Sequence, residues 1–130
     1  MRVCAIQMNV ITGDRKANRA AVTDLTERAV RSDCPPDVII LPELWSTGYA
    51  LDRASELASP GGEADAEFLG ELAIRHHVAF AGGSVLAEVN GRIRNRAQVI
   101  DKKGMLTAFY DKIHLFRLMD EERYLDRGND

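Results

Sequence analysis

The chain has 130 residues, 45% hydrophobic and 28% charged, with a formal net charge of −3. This suits one globular domain and excludes a dedicated nucleic-acid binder, which needs clustered positive charge. No apolar run approaches the ~18–20 residues of a membrane span, Gln7 and Asn9 interrupt any signal segment, and Cys4 and Cys34 make neither a disulfide framework nor a four-cysteine zinc site, so a soluble cytoplasmic domain is expected.

Residues 2–8 read as a strand with two largely apolar faces, as expected of a strand covered on both sides. Thr12-Gly13-Asp14 is a turn able to supply a helix N-cap. Residues 15–32 then show helical spacing: Ala17, Ala21, Leu25 and Ala29 repeat at i+4, with Val22 and Val30 beside them. Arg19, Asp24, Glu27, Arg28 and Arg31 are assigned to the wet face. Pro35-Pro36 stops this helix.

Asp37-Val38-Ile39-Ile40-Leu41 reads as a second buried strand, ended by Pro42. A loop is expected over residues 44–62. A second amphipathic helix fits residues 63–76, with Asp65, Phe68, Leu69, Leu72 and His76 along one side. Residues 78–81 form a third short strand, expected to end at Gly82-Gly83. Residues 85–89 and 92–100 flank Asn90-Gly91, a strong hairpin signal because both residues tolerate positive φ. Asp101-Lys102-Lys103-Gly104 is a further turn, and residues 105–115 a last strand. The order β-α-β-α-β-β-β predicts a mixed α/β layer structure, with helices on one face and a sheet that includes antiparallel pairs.

Three positions are candidates for chemistry. Glu43 directly follows an apolar strand, at the carboxyl end where α/β sheets bind ligands. Beside Leu44 and Trp45, desolvation should raise its pKa and suit it to general-base work; a surface loop glutamate is the alternative. Lys112 shares one face of the last strand with Tyr110 and His114. An ammonium fixed there can stabilise an oxyanion; an edge-strand lysine that discourages aggregation is the alternative. Asp120-Glu121-Glu122 taken alone is a solvated charge run. Cys4 reads as core packing, and nothing near Cys34 would lower its pKa. His76-His77 lacks the i, i+4 spacing of a zinc pair, and Gly82-Gly83-Ser84 lacks a nucleophile elbow. No metal or cofactor is expected.

Read together, these segments resemble the nitrilase superfamily of carbon–nitrogen hydrolases. The resemblance rests on Val3-Cys4-Ala5-Ile6-Gln7-Met8, on Leu41-Pro42-Glu43-Leu44-Trp45-Ser46-Thr47-Gly48-Tyr49, and on Gly82-Gly83-Ser84. It continues through Asn95-Arg96-Ala97 and Tyr110-Asp111-Lys112-Ile113-His114-Leu115-Phe116 to Tyr124 and Gly128. It implies an α-β-β-α sandwich and a Glu-Lys-Cys triad. Glu43 then matches the general base, Lys112 the lysine that stabilises the tetrahedral intermediate, and Glu121 an accessory glutamate, with Glu122 its rival. The implied reaction is acyl transfer from a small amide through a cysteine thioester.

No cysteine follows Cys34, and neither cysteine matches the family nucleophile. The expectation is an incomplete, N-terminal half of a hydrolase domain spanning residues 1–130, inactive alone, whose full-length parent forms a homo-oligomer. The sequence context is similar to the small-amide branch, including omega-amidase-like enzymes; Arg117 reads as a solvated surface residue, with a bidentate contact to a substrate carboxylate as the alternative. A non-catalytic half-domain that binds a partner chain is the alternative.

Overall fold

Alternating apolar residues decide which strands form and which way they face. In the computed structural model, which describes residues 1–129, β1 (Val3–Ala5) and β2 (Val38–Ile40) run parallel, and β2 runs parallel to the start of β4 (Ala79–Val89). β3 (Ser59–Pro60) runs parallel to the later part of β4. β5 (Arg92–Ile100) returns antiparallel along β4, and β6 (Leu106–Asp111) antiparallel along β5. The result is a six-stranded mixed sheet in the order β1-β2-β4-β5-β6, with β3 beside β4.

The long helices, α1 (Arg15–Val30) and α3 (Glu63–His76), cover one face. Asp14 caps α1 as expected, its carboxylate accepting from the Ala17 N–H at 2.9 Å. Asn18, Val22 and Thr26 form the buried stripe of α1, flanked by Leu25, Ala29 and Val30. They meet Leu69, Leu72 and Ala73 of α3 and Ile39, Phe80, Val85 and Ile100 of the sheet. Each large side chain buried this way contributes about 1.5–3 kcal/mol relative to exposure. No helix is long and apolar enough to cross a membrane among the described residues.

The opposite face is covered at one end only. There Leu86 packs with Leu44, Leu51, Leu57, Leu115 and Leu125. These come from the turn after β2, a 3-10 turn (Leu51–Arg53), the short helix α2 (Ala54–Leu57), and the segments just before and after α4 (Glu121–Tyr124). Towards the other end the register lines up Ala5, Ile40, Ala81, Val99 and Ala108 as a bare apolar row.

Four expectations need correction. Gly82-Gly83 does not end a strand: β4 runs through it, with a bulge in the pairing between Ala81 and Ser84. Residues 44–62 are not one loop, since they contain the 3-10 turn, α2 and β3. Arg19 is not on a wet face but donates to the buried Asp65 carboxylate at 2.7 and 3.1 Å. The last strand ends at Asp111, so His114 is exposed and Leu115 turns into the core rather than continuing the alternation.

Candidate active site

The bulge in β4 builds the first part of the site. Gly83 has φ +57°, and a Cβ there would lie 1.9 Å from the Pro42 carbonyl oxygen. Only glycine lets the chain leaving β2 cross β4 so closely. Ser84 then clamps that chain. Its N–H donates to the Pro42 carbonyl at 3.3 Å, and its carbonyl accepts from the Trp45 N–H at 3.3 Å. Its Oγ accepts from the Leu44 N–H at 3.0 Å. Leu44 is held at φ +47°, a conformation that strains a non-glycine residue by roughly 1–3 kcal/mol.

Anchors on both sides offset this strain. Leu44 enters the small core and Trp45 the helix-side core, and both are fully buried. Ser46 Oγ donates to Asp65 at 2.7 Å, and its carbonyl accepts from the Asn18 amide at 3.0 Å. Glu43 therefore projects from a backbone tied to β4, α1 and α3.

Lys112 is fixed by a different set of contacts. Its N–H donates to the Asn95 carbonyl at 2.9 Å, and its carbonyl accepts from the Gly128 N–H at 2.9 Å. Strand alternation sends the preceding side chain, Asp111, to the other face. There Arg96 donates two bonds to it, at 2.6 and 2.9 Å, and Arg94 one at 2.9 Å. Arg96 also lies over the Phe109 ring, 4.1 Å from its centroid. The Arg96 and Arg94 guanidiniums hold the Asp111 carboxyl below the usual aspartate range, against the opposing effect of burial.

The side chains converge. Lys112 Nζ lies 2.8 Å from Glu43 Oε1 and 2.9 Å from Glu121 Oε2. Asn95 Nδ2 donates to Glu43 Oε1 at 2.7 Å and to Glu121 Oε1 at 3.2 Å. The Tyr49 hydroxyl donates to Glu43 Oε2 at 2.8 Å. Glu121 is fully buried and also accepts from the Phe116 N–H at 2.6 Å. Glu122 is exposed and pairs with Arg117 and Arg127. The structure thus brings Glu43, Lys112 and Glu121 together and leaves Glu122 and Arg117 outside. Glu121 is not the solvated charge that its neighbours Asp120 and Glu122 suggest.

The expected rise in the Glu43 pKa is also corrected. Burial pushes the carboxyl up, but Lys112, Tyr49 and Asn95 together outweigh it and hold the group below the usual glutamate range. Its side chain remains 42% exposed, so the desolvation expected from Leu44 and Trp45 is partial. Burial opposes the charge on Lys112, yet Glu43 and Glu121 outweigh that effect and raise its pKa. Burial, reinforced by Glu43, raises the Tyr49 hydroxyl far above its ordinary value. Both groups therefore keep their protons near neutrality.

Glu43, Asn95 and Lys112 line an open cavity of about 400 Å³ on the bare side of the sheet. Ile40, Ala81, Ala97, Val99 and Tyr110 supply most of its apolar wall. Cys4 packs toward the helix-side core and Cys34 is exposed, so neither is part of the cluster. Among the described residues no group of three or more His, Cys, Asp or Glu side chains is placed to hold a metal ion.

Asn95, Tyr49 and Ser84 were not read as site residues from their local sequence. One signal was available. Ile93, Asn95, Ala97 and Val99 share a strand face, and Asn95 is its polar interruption.

Comparison with known proteins places the family and the fold. The family profile described as Carbon-nitrogen hydrolase matches residues 2–129. The chain is 42% identical over 94 residues to the 2-oxoglutaramate amidase of Bacillus subtilis (strain 168), an alignment covering 72% of this chain and 36% of that protein. It is 32% identical over 128 residues to the Hydrolase in agr operon of Staphylococcus aureus, covering 98% of this chain and 48% of that protein. Among solved structures it superposes on XC1258 of Xanthomonas campestris, a CN-hydrolase superfamily protein. The TM-score is 0.86 at 26% identity, over 100% of this chain and 47% of that one. The chain spans about half the length, or less, of these relatives. With its sheet and helices matching the nitrilase fold and the family profile covering nearly every residue, the chain belongs to the carbon–nitrogen hydrolase family.

Proposed function

We propose that this chain is the N-terminal half of an amidase domain, and that the complete protein hydrolyses a small carboxamide to its acid and ammonia. The carrying observation is the contact of Glu43 with Lys112 at 2.8 Å, beside a cavity with apolar walls. A carboxylate and an ammonium held this way suit acyl transfer.

In this reading a cysteine outside the chain supplies the thiol. Glu43 takes the thiol proton as sulfur attacks the amide carbon, and Lys112 Nζ faces the oxyanion that forms. Collapse of the tetrahedral intermediate breaks the carbon–nitrogen bond, and the proton held by Glu43 leaves with ammonia. Water then attacks the thioester, with Glu43 accepting its proton; the carbon–sulfur bond breaks, the acid departs, and Glu43 returns the proton to the leaving sulfur. Glu121 is fully occupied by Lys112, Asn95 and the Phe116 N–H, so its part is to position Lys112. The bare row of Ala5, Ile40, Ala81, Val99 and Ala108 is the face on which the second sheet of an α-β-β-α sandwich would pack, and because Ile40, Ala81 and Val99 also line the cavity, that sheet would roof the cavity and leave only its Glu43–Lys112 part for the substrate.

The relative named 2-oxoglutaramate amidase favours a monoamide that also carries a carboxylate. The test is ammonia release by the complete protein from 2-oxoglutaramate and from simple aliphatic amides, with intact-mass detection of an acyl adduct. Turnover with a transient cysteine thioester is expected. Full binding of these amides with neither adduct nor ammonia would instead favour a non-catalytic role.

A further inference from the structure

We propose that Asn95 is a positioning residue that holds the Glu43 and Glu121 carboxylates around one ammonium, and so sets both the aim and the proton affinity of the general base. The proposal rests on the amidase reading above and deepens it.

The cluster contains two carboxylates and one lysine. Two negative groups sharing one cation repel each other and would drift apart without further donors. Asn95 supplies such donors without adding charge. Its side-chain nitrogen reaches one oxygen of each glutamate, at 2.7 and 3.2 Å, and the residue is only 2% exposed. Its backbone carbonyl also receives the Lys112 N–H. One residue therefore contacts all three charged members of the site, through side chain and main chain separately.

Its placement has a structural cause. Asn95 pairs with Leu86 across β4 and β5, at the border between the covered and bare parts of the sheet face. An apolar residue at that point would extend the small core. An asparagine instead turns a nearly water-free amide toward the carboxylates, where charge-assisted bonds are stronger than in water. The sign of its effect on Glu43 follows. A donor to the carboxylate favours the charged form, so losing it raises the pKa of the base.

The test uses the complete protein with 2-oxoglutaramate as probe, comparing wild type, Asn95→Leu and Asn95→Ser. Asn95→Leu keeps the size and removes the donor; Asn95→Ser keeps a hydroxyl donor in a smaller side chain. Asn95→Leu is expected to lower kcat by about 100-fold, with KM changed little. Its acidic limb in kcat/KM should move up by about one pH unit, the displacement that loss of one charge-assisted bond produces. Asn95→Ser should fall between Asn95→Leu and wild type in both respects. A carbon-13 carboxyl titration of Glu43 in wild type and in either folded variant gives a readout that needs no turnover, and the same upward shift is expected there. An unmoved limb and an unmoved Glu43 titration, with only the melting temperature lowered, would overturn the proposal. Absence of activity in the wild type, by contrast, would count against the amidase reading while the titration still decides the role of Asn95.

Discussion

Asp111 and Lys112 are adjacent in sequence and sit in charge clusters of opposite balance. On the helix side of the sheet, two arginines surround one carboxylate, and all three side chains are nearly enclosed. On the other side, two glutamates surround one lysine beside an open cavity. One step of strand alternation separates them. The first cluster closes on itself, with Arg96 stacked on Phe109, and presents nothing to a ligand. The second keeps Glu43 and Lys112 partly exposed. A buried ion cluster on one face of the strand end can thus hold it in place while its neighbour in sequence is aimed at a cavity on the other.

The comparison predicts that the two clusters fail differently. The largest expected effect is on chemistry. In the complete protein Glu43→Gln should lower kcat by about 10²–10⁴-fold while the melting temperature changes little. Near-normal turnover would remove Glu43 from the role of base. Next comes Asp111→Asn, which leaves two enclosed arginines short of their counter-charge. It should destabilise the fold by about 2–3 kcal/mol in denaturant titration, with activity lost through unfolding. Unchanged stability would show that the arginine cluster is not an anchor.

Gly83→Ala sharpens the same contrast on the loop that carries Glu43. The added Cβ would meet the Pro42 carbonyl at 1.9 Å, at a φ that alanine resists. A loss of at least about 2 kcal/mol is expected, and it should be accompanied by lower kcat in the fraction that stays folded. Full stability with full activity would show that the close crossing over β4 is dispensable.

The smallest effect concerns pH. Glu43 and Asp111 both have folded pKa values below their ordinary ones. Each therefore contributes stability that is fully present above its unfolded value, near pH 4, and lost as pH falls through the lower folded value. The melting temperature should hold between about pH 5.5 and 8 and drop below about pH 4. A melting temperature that stays level down to pH 3 would contradict the assignment of these charged pairs.

Much of this was legible in the sequence where one interaction decides the outcome. The apolar runs around Val38–Ile40 and at the two ends of β4, the Asn90-Gly91 turn and the Asp14 cap all follow from local chemistry. What was not legible depends on contacts distant in sequence. Gly82-Gly83 reads locally as a strand end; it is a bulge because the chain at Pro42, some forty residues earlier, must cross there. Arg19 reads as solvated because its partner, Asp65, lies forty-six residues on. The direction of the Glu43 pKa was missed for the same reason: Leu44 and Trp45 are visible beside it, but Tyr49, Asn95 and Lys112 reach it only in the fold. Glu43 and Lys112 could be singled out from the sequence because Glu43 follows an apolar strand, Lys112 shares a strand face with Tyr110 and His114, and both lie in motifs that resemble the family.

The most direct test of the account is the rate of ammonia release from 2-oxoglutaramate by the complete protein carrying Lys112→Met. The substitution keeps most of the length and apolar stem of the side chain and removes its charge. A fall in kcat of about 10²–10³-fold, with a cooperative melt within a few degrees of wild type, is the predicted result. A Lys112→Met enzyme that turns over at the wild-type rate would contradict the claim that the carboxylate and the ammonium act together on one carbonyl.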